Sequence, residues 1–170
     1  MEHRPMEATM KYIGIDPGNK SAVALMEDNH IVGVHSINVS PAKHKAHKLR
    51  SYFNFIFTLF CTFRPEIIYY EEPYIPRVQA AKSINKKLGI IELAGEIVKI
   101  ATHPLNPSTV KKVVTGNGRA EKDELADKLL TIVDNPDVIQ DLIDNNKWDE
   151  TDAVAIAICG YRSSCKYRHD

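Results

Sequence analysis

Several things are scarce or missing in this sequence, and each absence narrows the reading. No stretch of the 170 residues approaches the roughly 18 consecutive apolar residues that a membrane-spanning helix needs. The opening residues Met1-Glu2-His3-Arg4-Pro5-Met6-Glu7 lack the apolar core of a secretory signal, which predicts a cytoplasmic protein. Cysteine is sparse: Cys61, Cys159 and Cys165 are odd in number, with no Cys-x-x-Cys pair and no zinc-type spacing. That excludes a disulfide framework and leaves reduced structural thiols, as in the cytosol. There is no internal repeat and no low-complexity linker. Net charge is absent too, since 22 basic residues balance 22 acidic ones. A uniformly basic nucleic-acid binder is thereby excluded. What remains, at 44% apolar and 26% charged residues, is ordinary globular composition at one domain's length. The polar, aperiodic residues 1–9 are expected to be a tail, residues 10–165 a single domain, and residues 166–170 a second tail.

The neutral total conceals an uneven distribution. Eleven of the 22 acids fall in residues 121–152, which hold only three basic residues: Lys122, Lys128 and Lys147. The rest of the chain carries 19 basic against 11 acidic residues, a surplus of eight. Lys43, Lys45, Lys48, Arg50 and Arg64 follow one another without an intervening acid, and Arg77, Lys82, Lys86, Lys87, Lys111, Lys112 and Arg119 come later. Polyanions respond to such local fields, not to net charge. A set of solvated helix faces is the plainer explanation of the same pattern.

Periodicity supplies the elements. Residues 11–16, 21–26 and 31–39 read as three successive antiparallel strands, with a hairpin turn at Asp28-Asn29. Residues 44–63 read as a helix whose Leu49, Phe53, Ile56, Phe60 and Phe63 share one face, a core stripe more than a base-stacking platform. Pro65 ends it, and a buried strand at 66–71 follows. Residues 79–101 form a long helix with two apolar stripes. Ile84, Leu88, Ile91 and Val98 make one; Ile90, Leu93, Ala94, Ile97 and Ala101 make the other. Two apolar faces predict burial on two sides, one against a sheet and one against a second partner such as another copy of the chain. A weak strand at 101–105 and helices at 108–114, 120–133, 136–145 and 148–162 complete an α/β order. The last helix offers Ala153, Ile156, Ala157 and Gly160 for packing.

Four carboxylates stand out by position. Asp16 ends the first apolar strand and Glu71 another. Asp149 and Asp152 lie three apart at the start of the last helix and share a face. Strand ends and a helix start can meet at one edge of a sheet, where crowded carboxylates repel one another and a hard divalent cation relieves the repulsion. Two such ions suit an in-line phosphodiester displacement. Taken singly, each residue has a structural explanation. Asp16 can cap the Pro17-Gly18 turn, Asp149 can cap its helix, Asp152 can oppose the helix dipole, and Glu71 can be half of an exposed acidic pair.

With these residues in hand, the sequence resembles the RuvC-type Holliday junction resolvases of the RNase H-like superfamily, in collinear order from about Lys11 to Tyr161. The matching segments are Tyr12-Ile13-Gly14-Ile15-Asp16-Pro17-Gly18, Pro65-Glu66-Ile67-Ile68-Tyr69-Tyr70-Glu71, Pro107-Ser108-Thr109-Val110-Lys111-Lys112, Gly116-Asn117-Gly118-Arg119-Ala120-Glu121-Lys122, and Asp149-Glu150-Thr151-Asp152-Ala153. The spacing from Pro65 favours Glu71 over Glu72. The resemblance implies an RNase H-like fold, a mixed five-stranded sheet flanked by helices. It implies a homodimer, formed through helix 79–101, that nicks two strands of a four-way junction symmetrically with Mg²⁺ or Mn²⁺, two ions per site. Asp16, Glu71, Asp149 and Asp152 would be the metal ligands, with Lys122 assisting the phosphate chemistry. Tyr74, Arg77, Lys82, Lys86, Lys87, Lys111, Lys112, Arg119 and Lys122 would contact DNA. A branch-migration motor or other recombination protein is a partner such a role allows.

Two departures touch substrate preference. Residues 135–147 look like an acidic insertion, carrying Asp137, Asp141 and Asp144, near the rim of the site. Tyr74 stands where the family usually has phenylalanine, beside a stiffening Pro73. Such changes lean toward a phage or mobile-element member. Competing readings are an RNase H-like nuclease acting on three-way, flap or fork DNA, a non-catalytic junction binder, and an actin-like ATPase suggested by Ile13–Gly18 alone. The last lacks a second phosphate loop and an adenosine motif.

Overall fold

The computed structural model describes residues 9–18, 20–37, 45–72 and 78–166. The expected residues Tyr74 and Arg77, and the side chain of Lys82, lie outside the described part. The strands are β1 (Lys11–Asp16), β2 (Ser21–Glu27), β3 (His30–Ile37), β4 (Ile67–Glu71) and β5 (Ala101–Leu105). The helices are α1 (Lys45–Phe63), α2 (Val78–Val98), α3 (Pro107–Thr115), α4 (Lys122–Ile132), α5 (Pro136–Asp144) and α6 (Trp148–Lys166). One mixed sheet runs in the order β3-β2-β1-β4-β5. β3, β2 and β1 pair antiparallel, while β1, β4 and β5 run parallel. This is the sheet expected from the sequence.

The central strands are buried on both faces, so they read as continuous apolar runs. Tyr12, Ala22, Ala24, Met26 and Tyr69 face α6 and the helices around it. Ile13, Ile15, Val23, Ile68 and Tyr70 face the other way, onto Tyr52, Ile56 and Phe60 of α1 and Ile91 and Ala94 of α2. The aromatic stripe of α1 is therefore core, as its spacing predicted. On α2 the residues divide differently from the expected stripes. Ala94, grouped by spacing with Leu93 and Ile97, is buried beside Ile91, and Ile90 packs against the same core. Within α2, only Leu93 and Ile97 of that stripe remain 55% and 52% exposed.

Two expectations need correction. The long helix stops at Val98 instead of running to Ala101. Lys99 turns left-handed at φ 58°, its N–H bonds to Glu96 O, and the Ile100 N–H reaches back to Gly95 O. This is a Schellman stop with lysine in the place usually taken by glycine, so its ordinary signal is missing from the sequence. The last helix is also buried all round, not along one face: every residue from Ala153 to Cys159 is inaccessible. α6 lies between the sheet and α3, α4 and α5, which explains why its sequence is small and apolar on every side.

The 135–147 segment folds as α5 with Ile139 and Leu142 buried. Ahead of it, the Asn135 side chain bonds to both the N–H and the C=O of Ile31 on β3, each at 2.9 Å. Asn146 closes α5 at φ 53°, with Asn146 N–H on Ile143 O and Lys147 N–H on Leu142 O. α6 begins at the next residue, so the placement of α5 sets the direction in which the Asp149–Asp152 turn points.

Candidate metal centre and its surroundings

β1 and β4 run side by side with Ile15 opposite Tyr70. Asp16 and Glu71 are the next residues on each strand, so the parallel register brings the two carboxylates to the same sheet edge. Gly14 brings the helix in. A Cβ at this position would lie 2.3 Å from Ala153 O and 2.5 Å from Ala157 N. α6 can cross β1 at this distance only because position 14 has no side chain. Asp152 directly precedes Ala153, so the close approach seats it above the end of β1.

As a result, Asp16, Asp149 and Asp152 each offer one carboxylate oxygen within 4.8 Å of the others. Glu71 is not in that set, but it feels the fields of Asp16 and Asp152. Burial raises the Asp16 carboxyl to about 6, with Asp152 and Asp149 pushing the same way and the Gly18 N–H and Lys122 opposing. Burial raises Glu71 to about 7, helped by Asp16 and Asp152 and opposed by Lys111 and Lys122. Asp152 is likewise raised by burial and held back by Lys122. This much negative charge is undercompensated by the protein itself. All the donors are carboxylate oxygens, the set preferred by hard divalent cations.

Lys122, the first residue of α4, places Nζ 3.3 Å from Asp152 Oδ2. Lys111 is half-buried on α3, and Lys112 and Arg119 are exposed nearby in sequence. Asn106 caps α3 by accepting from the Ser108 N–H at 3.0 Å, and Gly116 ends it at φ 86°, so the loop carrying Arg119 begins at a defined point. Lys86 is exposed. Lys87 is not a free surface cation. Its ammonium bonds to Pro17 O at 3.3 Å, to Gly18 O, and to Ser21 Oγ at 2.9 Å.

Sequence reasoning missed Gly14 and the Lys87–Ser21 cluster. A lone glycine inside an apolar strand is itself a signal of close approach and could have identified Gly14. Nothing near Lys86-Lys87 distinguishes the second lysine from a solvated neighbour. Of the cysteines, Cys159 is buried and Cys61 exposed, both unpaired. No helix among the described residues is long and apolar enough to cross a membrane.

Comparison with known proteins agrees with this architecture. The chain is 27% identical over 161 residues to the crossover junction endodeoxyribonuclease RuvC of Citrifermentans bemidjiense, covering 91% of this chain and 94% of that one. It is 31% identical over 160 residues to the RuvC of Carboxydothermus hydrogenoformans, covering 89% and 96%. The structure of Thermus thermophilus RuvC in complex with a Holliday junction substrate superposes with a TM-score of 0.75 at 21% identity, over 88% of this chain and 92% of that one, a likeness of fold. The RNase H-like sheet expected from the sequence is the one these folds share. The family model for crossover junction endodeoxyribonuclease RuvC matches residues 12–160, from the strand that delivers Asp16 to the helix that delivers Asp152, and the chain belongs to that family.

Proposed function

We propose that this chain is a metal-dependent endonuclease that resolves four-way (Holliday) DNA junctions by symmetric paired nicks. The observation that carries the reading is the convergence of Asp16, Asp149 and Asp152 within 4.8 Å, with Glu71 at the adjoining strand end. Asp16, Glu71, Asp149 and Asp152 would hold two Mg²⁺ or Mn²⁺ ions. Such ions, when bound, supply activation of a water and stabilisation of the leaving oxygen. The raised carboxyls of Asp16 and Glu71 support the assignment, because burial and the neighbouring carboxylates disfavour their ionised forms, a cost that a bound cation would relieve.

The chain's own residues supply positioning. Lys122 pairs with Asp152 and, being exposed, can transfer its hydrogen bond to a phosphate oxygen. Lys111, Lys112 and Arg119 extend that positive rim along the backbone of a DNA strand, with Lys86, and with Tyr74, Arg77 and Lys82 carried over from the family resemblance. Lys87, on the same list by sequence, has its ammonium turned inward onto Pro17 O, Gly18 O and Ser21 Oγ and is not part of this rim. A homodimer through α2 supplies the symmetry. Leu93 and Ile97, one helical turn apart and half-exposed, form the kind of apolar face that a second copy covers. Two copies then present two sites to the two like-oriented strands of one junction. Recombination intermediates in the cytoplasm are the setting for this activity, and a branch-migration motor is the partner it calls for.

The test is cleavage of synthetic four-way, three-way and flap DNAs with Mg²⁺, mapping the nicks. Paired, symmetric nicks confined to the four-way substrate are expected. Equal or better cleavage of flaps would transfer the reading to a broader branched-DNA nuclease. Asp16→Asn and Asp152→Asn should still bind junctions while losing cleavage. Full nicking by either variant refutes the metal assignment.

A further inference from the structure

One charged side chain near the site is unexplained by the chemistry above. Lys87 leaves α2 on the face of the sheet opposite α6 and ends among three acceptors: Pro17 O, Gly18 O and Ser21 Oγ. An ammonium has three protons to donate, and here each has a partner. Its Nζ also lies 5.6 Å from the centre of the Tyr52 ring. Ser21 is buried, and its hydroxyl donates to Gly18 O at 3.2 Å. Two donors thus converge on one carbonyl of the β1–β2 turn.

The same turn holds Asp16. The Gly18 N–H donates to Asp16 Oδ1 at 2.8 Å. That N–H and the Pro17 carbonyl belong to a single peptide unit. The order of contacts is therefore Lys87 ammonium, Pro17 C=O, Gly18 N–H, Asp16 carboxylate, with one rigid peptide plane between the two charges. A cation on the carbonyl end of an amide polarises it and strengthens its N–H as a donor. The plane also fixes the rotation of the Asp16 carboxylate, because its N–H can point in only one direction.

We infer that Lys87 is a positioning residue for Asp16, orienting the metal-binding carboxylate through the Pro17–Gly18 peptide instead of contacting a DNA phosphate. The inference rests on the reading of Asp16 as a metal ligand. It assigns the lysine a role inside the protein, and so separates it from the exposed Lys86 beside it in the sequence.

The test uses the full-length protein and Mn²⁺ binding measured by titration calorimetry without DNA, alongside junction binding in EDTA and thermal melting. Removing a group that orients a metal ligand typically weakens metal affinity by on the order of tenfold, and that loss is expected for Lys87→Gln. Junction affinity in EDTA and its salt dependence should stay as in the unaltered protein. Unchanged Mn²⁺ affinity in Lys87→Gln would overturn the inference, and a weaker, less salt-dependent grip on junctions beside it would make Lys87 a phosphate contact instead. If Lys87→Gln does not fold, Ser21→Ala carries the test, since it removes one of the lysine's acceptors and one donor to Gly18 O. A smaller loss of Mn²⁺ affinity is then expected, and no loss refutes the role. Asp16→Asn separates the two levels. If it binds Mn²⁺ normally, the metal assignment itself has failed. If it loses Mn²⁺ while Lys87→Gln does not, only the positioning role has.

Discussion

Replacing Gly14 with alanine should cost more activity than stability. The added Cβ would sit 2.3 Å from Ala153 O, 2.5 Å from Ala157 N and 2.6 Å from Ala157 Cβ. Two of these are backbone atoms of a buried helix and cannot rotate away. Restoring contact distances of about 3.5 Å requires α6 and β1 to separate by roughly 1 Å. Overpacking of this kind costs about 1–3 kcal/mol, which for a domain of this size lowers Tm by roughly 2 to 12 °C. The displaced helix carries Asp149 and Asp152, while the strand carries Asp16. A misplacement of about 1 Å in a catalytic constellation can cost on the order of a hundredfold in rate. Gly160→Ala is the matched comparison. Its Cβ would lie 2.2 Å from the Tyr69 ring, which can shift as a side chain, and it lies further along α6 from Asp149 and Asp152 than Ala153 and Ala157 do. Both variants should melt earlier, and Gly14→Ala alone should lose most of its junction cleavage below its melting range. Differential scanning fluorimetry and a single-turnover cleavage assay measure the two effects. A Gly14→Ala protein with an unchanged Tm and full cleavage would refute the claim that close approach at this residue builds the site.

Further expectations concern charge, metal and assembly. In metal-free protein the carboxyls of Asp16 and Glu71 are raised to about 6 and about 7, above their ordinary 3.8 and 4.5, so the folded state holds protons more tightly than the unfolded one. Their contribution to stability is complete below those ordinary values and is lost as pH rises through the raised ones; melts in EDTA should fall across that window, and the stabilisation by added Mg²⁺ should grow across it. A Mg²⁺ effect independent of pH would contradict this. Lys111→Ala and Lys122→Ala should each reduce the log–log salt slope of junction binding by about 0.9, and an unchanged slope removes that lysine from the contact list. Leu93→Glu places a charge on the exposed face of α2 and should leave a folded monomer in sedimentation, with paired nicks replaced by single ones. A dimer that persists would put the interface elsewhere.

Much of this fold is written locally. The strand ending in Asp16, the strand ending in Glu71 and the helix starting near Asp149 each carry a period and a boundary residue, so the sequence shows them directly. The convergence of their ends is not local. It depends on the parallel register of β1 with β4 and on the missing side chain of Gly14, and only the order of elements hinted at it. What stayed hidden was where a residue's neighbours come from distant chain. The boundary at Val98 is hidden for a different, local reason, since Lys99 ends the helix in a conformation typical of glycine and so lacks the usual mark. α6 is buried on all sides because α3, α4 and α5 cover its outer surface, whereas its own sequence marks only one packing stripe. Lys87 looks like its neighbour Lys86 until the turn at Pro17 and Gly18 is brought beneath it.

The Asn135 side chain has a consequence for how the protein behaves at high concentration. An uncovered outer strand is an invitation to any other chain with free amides, and stacking through such strands is a route to fibres. Asn135 occupies both backbone groups of Ile31 on β3, and at the opposite margin β5 contains Pro104, which has no N–H to offer. Each border is interrupted at one position, which discourages growth of the sheet from molecule to molecule at both ends. A shortened chain without residues 135–147 should therefore be prone to thioflavin-positive aggregation, which makes this segment a guard on solubility as well as the one that aims α6.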